Sequence, residues 1–117
     1  MARRVRRGDL WMFAFAPPDK ERPVLILSRQ AVIPLLRTVM VAPVTSTIHG
    51  VPSEVVVGVE HGLKHTSAVN LDHVQTVDRS RLKRFVGRLD DAMMTRVCEA
   101  LATAVGCGRV PSGESSP

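Results

Sequence analysis

The chemistry this chain can offer begins with one arginine and a pair of hydroxyls. Arg22 stands between the charged stretch Asp19-Lys20-Glu21 and the run PVLIL, at the mouth of a strand expected to be buried. A guanidinium is permanently charged and presents a planar fork of donors that fits phosphate oxygens. In an aliphatic setting it must find partners, because an unpaired buried charge is costly. An ion pair with Glu54 or Asp72 is the structural alternative. Thr45 and Ser46 follow the strand-like run VMVAPV, at a place where hydroxyls usually close a turn. Brought beside Arg22 they would complete a phosphate-binding corner, and nothing in the linear spacing decides between the two roles.

The commoner motif-borne chemistries are absent. There is no Gly-rich phosphate loop, no HExxH and no GxSxG. His49, His61, His65 and His73 are scattered through expected loops and short strands, with no pair at a helical metal spacing. Cys98 and Cys107, the only cysteines, form no CxxC or CxxH pattern and are too few for a disulfide framework. Cys98 is expected on the apolar side of a helix, behaving as a small hydrophobe, and Cys107 as a free thiol beyond it. No metal and no cofactor is expected.

The net charge of +5 comes from 16 basic and 11 acidic residues, and its distribution matters more than its size. Arg3, Arg4, Arg6 and Arg7 form a basic arm, expected to be flexible over residues 1–7. A second basic run, RSRLKRFVGR at 79–88, holds no acid. Such clusters suit a polyanion such as RNA or an acidic protein segment, and equally describe a solvated face. Aromatics are scarce: Trp11, Phe13, Phe15 and Phe85. The first three recur with period two, as on one face of a half-buried strand. Too few remain for the stacking platforms of single-strand binders, so any RNA would be handled by charge and hydrogen bonds in a groove.

These residues are carried by one expected domain over 8–107. The length is enough for a core of its own. Strands are expected at Gly8–Phe15, Val24–Ser28, Val39–Val44, Glu54–Val57 and Phe85–Leu89, with one or two more within Ala68–Val77. One or two helical turns fit Gln30–Arg37, limited by Pro34. The one long helix starts after the N-cap Asp90 and runs to about Val105. Its apolar stripe is Met94, Val97, Cys98, Leu101, Ala104 and Val105. Residues 108–117 (GRVPSGESSP) read as a disordered tail. The order of elements predicts a mainly β, barrel-like sheet with a C-terminal α-helix packed on it. No apolar run is long enough to span a bilayer and no secretory signal is evident. A cytoplasmic location is expected, with no membrane partner.

The ordered set RGDLW, RPVLILS, VAPVTST, SAVNLDHVQTVDRSRL and GRL, ahead of the terminal helix, resembles the MazF/PemK toxins over about residues 6–106. That resemblance implies an SH3-like barrel of the MazF/PemK/CcdB type acting as a homodimer. It implies a sequence-specific, metal-independent endoribonuclease, neutralised by the acidic C-terminal segment of a cognate MazE-like antitoxin. It places the catalytic arginine at Arg22 and the catalytic threonine at Thr45. Attack would come from a ribose 2′-hydroxyl, leaving a 2′,3′-cyclic phosphate and a 5′-hydroxyl. Ser46, Thr47, His73, Gln75, Arg81 and Arg84 are implied along the RNA groove. Two departures stand out: the first inter-strand loop is short and lacks the family's GSEQ-like segment, and a common family glutamine aligns with His73. Glu21 or Asp19 is the replacement for the lost carboxylate that the sequence offers. His73 is then a base contact or proton carrier, or simply a histidine hydrogen-bonded on a strand. Two other readings remain open: a barrel that only binds RNA or protein, and a CcdB-like gyrase poison. Against the latter, the single tryptophan lies in the first strand and not near the C-terminus.

Overall fold

The computed structural model describes residues 4–16 and 20–107. Its strands are β1 (Asp9–Ala14), β2 (Glu21–Ile26), β3 (Thr38–Thr45), β4 (Glu54–Val57), β5 (Ser67–Asn70), β6 (Gln75–Asp78) and β7 (Leu82–Arg88). A single helix, α1, spans Asp91–Ala104. The strands form one antiparallel sheet in the order β4-β5-β3-β2-β1-β7, with β6 also pairing with β3. This is the mainly β architecture with a terminal helix expected from the sequence.

Both faces of the central strands are covered. Leu10, Leu25, Ala42 and Val44 point to a core shared with β4, β5 and α1. Trp11, Phe13, Val24, Ile26, Val39 and Val41 point to a second core, closed by Val5, Ile33 and Leu82. Burial on both faces explains why β2 reads as an unbroken aliphatic run and not as an alternation. Burial of Val5, with the Arg6 amide donating to Asp9 Oδ2 at 3.0 Å, anchors the second half of the expected basic arm to the sheet. Residues 1–3, residues 17–19 of the first turn and the expected tail at 108–117 lie outside the described residues.

Strand β3 serves two partners on one edge. It pairs with β6 from Thr38 to Val41 and with β5 at Val44 and Thr45. Pro43, which has no amide hydrogen to give a ladder, falls at the changeover. The expected one or two strands in 68–77 are therefore β5 and β6, separated by a 3₁₀ turn over Leu71–His73. The helical turns expected in Gln30–Arg37 reduce to a 3₁₀ turn at Ile33–Leu35, and β7 begins three residues earlier than expected, at Leu82.

The two ends of the sheet meet where the 3₁₀ turn Val59–His61 crosses β7. A Cβ at Gly87 would overlap the His61 carbonyl, and one at Gly62 (φ +94°) would overlap the Val86 carbonyl. Only glycines allow this backbone-to-backbone approach.

Helix α1 starts where Asp90 Oδ1 accepts the Met93 amide at 2.8 Å. It ends in a Schellman motif: Gly106 (φ +73°) donates to Thr103 O and Cys107 to Ala102 O. Met94, Val97 and Ala100 are buried, whereas Cys98 and Val105 are exposed. The buried face runs through Met94, Val97 and Ala100, with Met93, Leu101 and Ala104 half-buried along its margins, so it is rotated away from the expected Cys98 and Val105. Cys98, on the flank, meets Arg7 Nη2 at 3.1 Å.

Asp9 is the most consequential buried polar residue. It has no solvent exposure and accepts from Arg6 N, Trp11 Nε1 (3.2 Å) and Arg88 Nε (2.8 Å). Asp9→Ala strands those donors at the junction of β1 and β7, and should lower unfolding free energy by about 2–4 kcal/mol, read from urea denaturation. Gly87→Ala, which forces the Val59–Gly62 turn off β7, should cost roughly 1–3 kcal/mol in the same assay.

Candidate functional site

Arg22 is the second residue of β2 and lies across from Phe13 of β1. Its side chain is exposed. Among the described residues the ion pairs are Arg84–Glu21 and Arg88–Asp9, so neither Glu54 nor Asp72 holds Arg22. Glu54 instead accepts the His49 and Gly50 amides, and Asp72 accepts the Ser53 hydroxyl. The reading of Arg22 as a charge buried among aliphatics is thus corrected. The strand becomes buried only from Val24 onward, and the exposed guanidinium makes no hydrogen bond or ion pair among the described residues.

Thr45 closes β3 and is half-buried. Its Oγ1 accepts the Thr47 amide at 3.1 Å, so the hydroxyl does shape the turn. A hydroxyl has one proton and two lone pairs, and accepting from Thr47 leaves the proton to donate. Strands β2 and β3 pair as Val24↔Pro43, Leu25↔Ala42 and Ile26↔Val41. Continued by two residues, that register sets Arg22 across from Thr45. Alternation along each strand puts both on the face of Val24 and Val41. Ser46 and Thr47 follow, exposed, in the turn.

The same end of the sheet holds Arg81. It lies in a 3₁₀ turn, Arg79–Arg81, whose N-cap Asp78 accepts the Ser80 amide at 2.8 Å. The Ser80 side chain and amide, then nearby Arg37 and Arg81, hold the Asp78 carboxyl below its usual range. The cap is fully formed above the ordinary aspartate range and is lost as pH falls through the lowered value. From this turn Arg81 donates to the Ala14 carbonyl and lies 5.3 Å from the centroid of Phe13. Phe13 is thus flanked by Arg81 and, across the β1–β2 ladder, by Arg22.

Other expected site residues are placed elsewhere. Glu21 is next to Arg22 on a strand, so it points to the opposite face. There it pairs with Arg84 Nη1 at 3.5 Å. Glu21 and Arg22 thus stand on opposite faces of β2, and Asp19, the other carboxylate the sequence offered, lies outside the described residues. His73 sits in the Leu71–His73 turn. Asn70 Oδ1 accepts the Asp72 amide, which turns the Asn70 Nδ2 donor to His73 Nδ1 at 2.7 Å and leaves Nε2 as the outward donor. Gln75 begins β6, exposed, across from Val41. Within the basic run, Arg79 donates to the Ile33 carbonyl and Arg88 to Asp9, so these two have structural work.

Sequence reasoning passed over a cavity of about 340 Å³ on the opposite face of β2. Its floor is a cross-strand row, Arg84–Met12–Pro23, and its side is formed by the loop bearing Leu63, Lys64 and His65. Phe85 lines it while remaining 48% exposed. The one available signal was an aromatic embedded in the basic run.

A seven-stranded antiparallel sheet closed by a C-terminal helix, with a solvent-open arginine and a threonine hydroxyl near neighbouring strand ends, defines a small mainly β barrel. The sequence matches, over residues 6–105, the family described as PemK-like, MazF-like toxin of type II toxin–antitoxin system, and the chain belongs to it. It is 46% identical over 106 residues to a probable endoribonuclease MazF5 of Mycobacterium tuberculosis, covering 88% of this chain and 94% of that protein. Among solved structures, Mycobacterium tuberculosis toxin MazF-mt6 superposes with a TM-score of 0.80 at 36% identity, covering 86% of this chain and 99% of that one. A mycobacterial endoribonuclease in complex with its cognate antitoxin gives 0.81 at 27% identity, covering 92% and 100%. The chain is accordingly a MazF-type endoribonuclease toxin by family. Among the described residues no helix is long and apolar enough to cross a membrane.

The Arg84–Glu21 pair is open to water, with side chains 63% and 45% exposed. A double-mutant cycle on the two residues should return a coupling below about 1 kcal/mol, shrinking further with added salt.

Proposed function

We propose that this chain cleaves RNA through Arg22 and Thr45, by attack of a ribose 2′-hydroxyl on its own 3′-phosphate. This reading is supported by the β2–β3 register, which continued two residues beyond Val24↔Pro43 brings the two residues to one face of neighbouring strand ends, with Arg22 in no ion pair among the described residues and the Thr45 proton free to donate. In the step, the 2′-oxygen–phosphorus bond forms and the bond from phosphorus to the 5′-oxygen breaks. The 2′-oxygen gives up a proton and the departing 5′-oxygen gains one, so the products are a 2′,3′-cyclic phosphate and a 5′-hydroxyl. Charge accumulates on the non-bridging oxygens as the phosphorus becomes five-coordinate. Arg22 meets that charge with a preorganised fork, and Thr45 donates one further hydrogen bond. Both act more strongly on the transition state than on the ground state, which is what accelerates a reaction.

The wider reading follows from the same site. Arg81, Ser46 and Thr47 extend the donor surface beyond the reacting phosphate; Arg84, His73 and Gln75 serve other stretches of the bound strand. The toxin works as a homodimer in the cytoplasm. Exposed Leu35, Val59 and Val105 are side chains that an assembly covers at a gain. An acidic antitoxin segment competes with RNA for the cationic surface, supported by the net charge of +5.

Purified protein incubated with mixed RNA in excess EDTA should yield fragments with 5′-hydroxyl and cyclic-phosphate ends. Arg22→Ala and Thr45→Ala should each lower the cleavage rate on the order of 10²-fold or more, with unchanged unfolding midpoints. Glu21→Gln should stay within about threefold of the parent, since a surface pair of this kind is worth at most about 1 kcal/mol. Full activity in Arg22→Ala refutes the assignment.

A further inference from the structure

Three arginines border a cleft of about 340 Å³ that the Arg22–Thr45 corner does not use: Arg4 and Arg6 from the N-terminal segment, and Arg79 from the turn ahead of β7. None of the described lining residues is acidic. The chain is fixed on both sides of the cleft. Val5, between Arg4 and Arg6, is buried in the core, and the Arg6 amide donates to Asp9. Arg79 is half-buried; its amide donates to Arg37 O at 2.9 Å and its Nη1 to Ile33 O at 2.6 Å. A guanidinium carries five donor hydrogens, so that last bond leaves four. The Arg4 and Arg6 side chains make no hydrogen bond or ion pair among the described residues, so the fold itself does not use their charges.

Like charges gathered round one cleft repel, and an anion among them offsets that cost. Gln30 has the same polarity. Its Oε1 is taken by the Arg7 amide at 2.9 Å, so it offers the cleft its amide hydrogens. Donors thus come from three separate pieces of chain. A phosphate, whose oxygens point in several directions, meets such a set better than a carboxylate, whose two oxygens lie in one plane. Pro34, above the buried Val5 and Ile33, adds an apolar wall for an attached sugar. Position agrees with composition. Arg79 and Arg81 are the two ends of one 3₁₀ turn, at most about 7 Å apart along the chain. Arg81 lies over Phe13, and Phe13 stands across the ladder from Arg22. Cations therefore continue from the Arg22 corner to the cleft.

We propose that this cleft holds a phosphate of the RNA strand other than the reacting one, with Arg79 as the fixed fork and Arg4 and Arg6 closing on it from the N-terminal segment. It is a sequence-independent hold that sets where the strand lies, as backbone contacts do. The inference rests on the reading that the chain acts on RNA.

The test reads strand length and salt. Binding is measured by fluorescence anisotropy with 2′-O-methyl oligoribonucleotides, which lack the attacking hydroxyl, in a series of increasing length from the dinucleotide. The parent should gain affinity in a step once the strand reaches the cleft. Arg4→Gln and Arg6→Gln remove a cation without removing a bond of the fold, so unfolding midpoints should not move. Each should weaken the long probe on the order of tenfold, erasing most of the step, and leave the dinucleotide nearly unchanged. Each should also lower the slope of log K against log salt for the long probe by about 0.7, the share of one phosphate contact on a single strand. Arg96→Gln on α1 removes the same charge outside the cleft lining and should keep both step and slope. Equal losses in Arg96→Gln, or an intact step in Arg4→Gln and Arg6→Gln, overturn the proposal. So does a site for inorganic phosphate, or for an oligoglutamate peptide, that Arg6→Gln abolishes while the length step survives. If the parent cleaves no natural RNA but Arg6→Gln erases the step, the nuclease reading fails and the cleft stands. If Arg22→Ala loses cleavage while Arg4→Gln and Arg6→Gln bind every length as the parent does, only the present inference fails.

Discussion

A carboxylate removed from water is stable only if its lone pairs are filled, and Asp9 fills them with donors from three separate pieces of chain. The Arg6 amide brings in the N-terminal segment, Trp11 Nε1 belongs to β1, and Arg88 reaches across from β7, 79 positions away in sequence. The arrangement fixes the β1–β7 ladder where its register shifts between Leu10 and Trp11. It also orients Trp11 and Arg88, the two side chains that brace Phe85. Because Arg88 is half-exposed, the pair avoids the full desolvation penalty of a buried ion pair.

Strand β2 divides the work. Its first two residues point to opposite faces, Glu21 to the side of Met12 and Pro23 and Arg22 to the side of Phe13 and Val24. From Val24 onward both faces are packed, so the strand is anchored by its second half while its first half projects to the rim. A rigid strand end is a better mount for a catalytic cation than a loop, since its direction is set by the ladder to β1 and not by its own rotamers alone. The shortness of the preceding turn costs little on this account, because Arg22 and Thr45 are placed by β2 and β3 and not by the turn.

What the sequence revealed and what it hid follow one physical line. Aliphatic runs, glycine and proline punctuation and the Asp90 cap are local signals, and they located β2, β4 and α1 to within a few residues. Arg22 and Thr45 stand out as candidates because they adjoin such runs. Contacts that join distant segments were not. Within the expected strand Gly8–Phe15 nothing marked Asp9 as a buried carboxylate, since its partner Arg88 lies at the far end of the domain. Cys98 was misplaced because a helical stripe fixes a face only to within a side chain's width, and the buried face runs through Met94, Val97 and Ala100. That Glu21 and Arg22 stand on opposite faces follows only once the start of β2 is known.

The basic run at 79–88 shows how far charge alone can mislead. Arg79 and Arg88 donate to Ile33 O and Asp9, and Arg81 leans on Phe13 while donating to Ala14 O. Their charges still add to the long-range field that draws a polyanion in, but their donors are partly spent on the fold. Among the described residues Arg22, Lys64 and, within the run itself, Lys83 make no hydrogen bond or ion pair, so open cations lie both inside and outside the run. Bonded arginines supply a field that does not depend on side-chain mobility, while only the open cations keep all their donors for a polyanion. The salt dependence of polyanion binding should therefore reflect fewer released counterions than the number of basic residues in the run suggests.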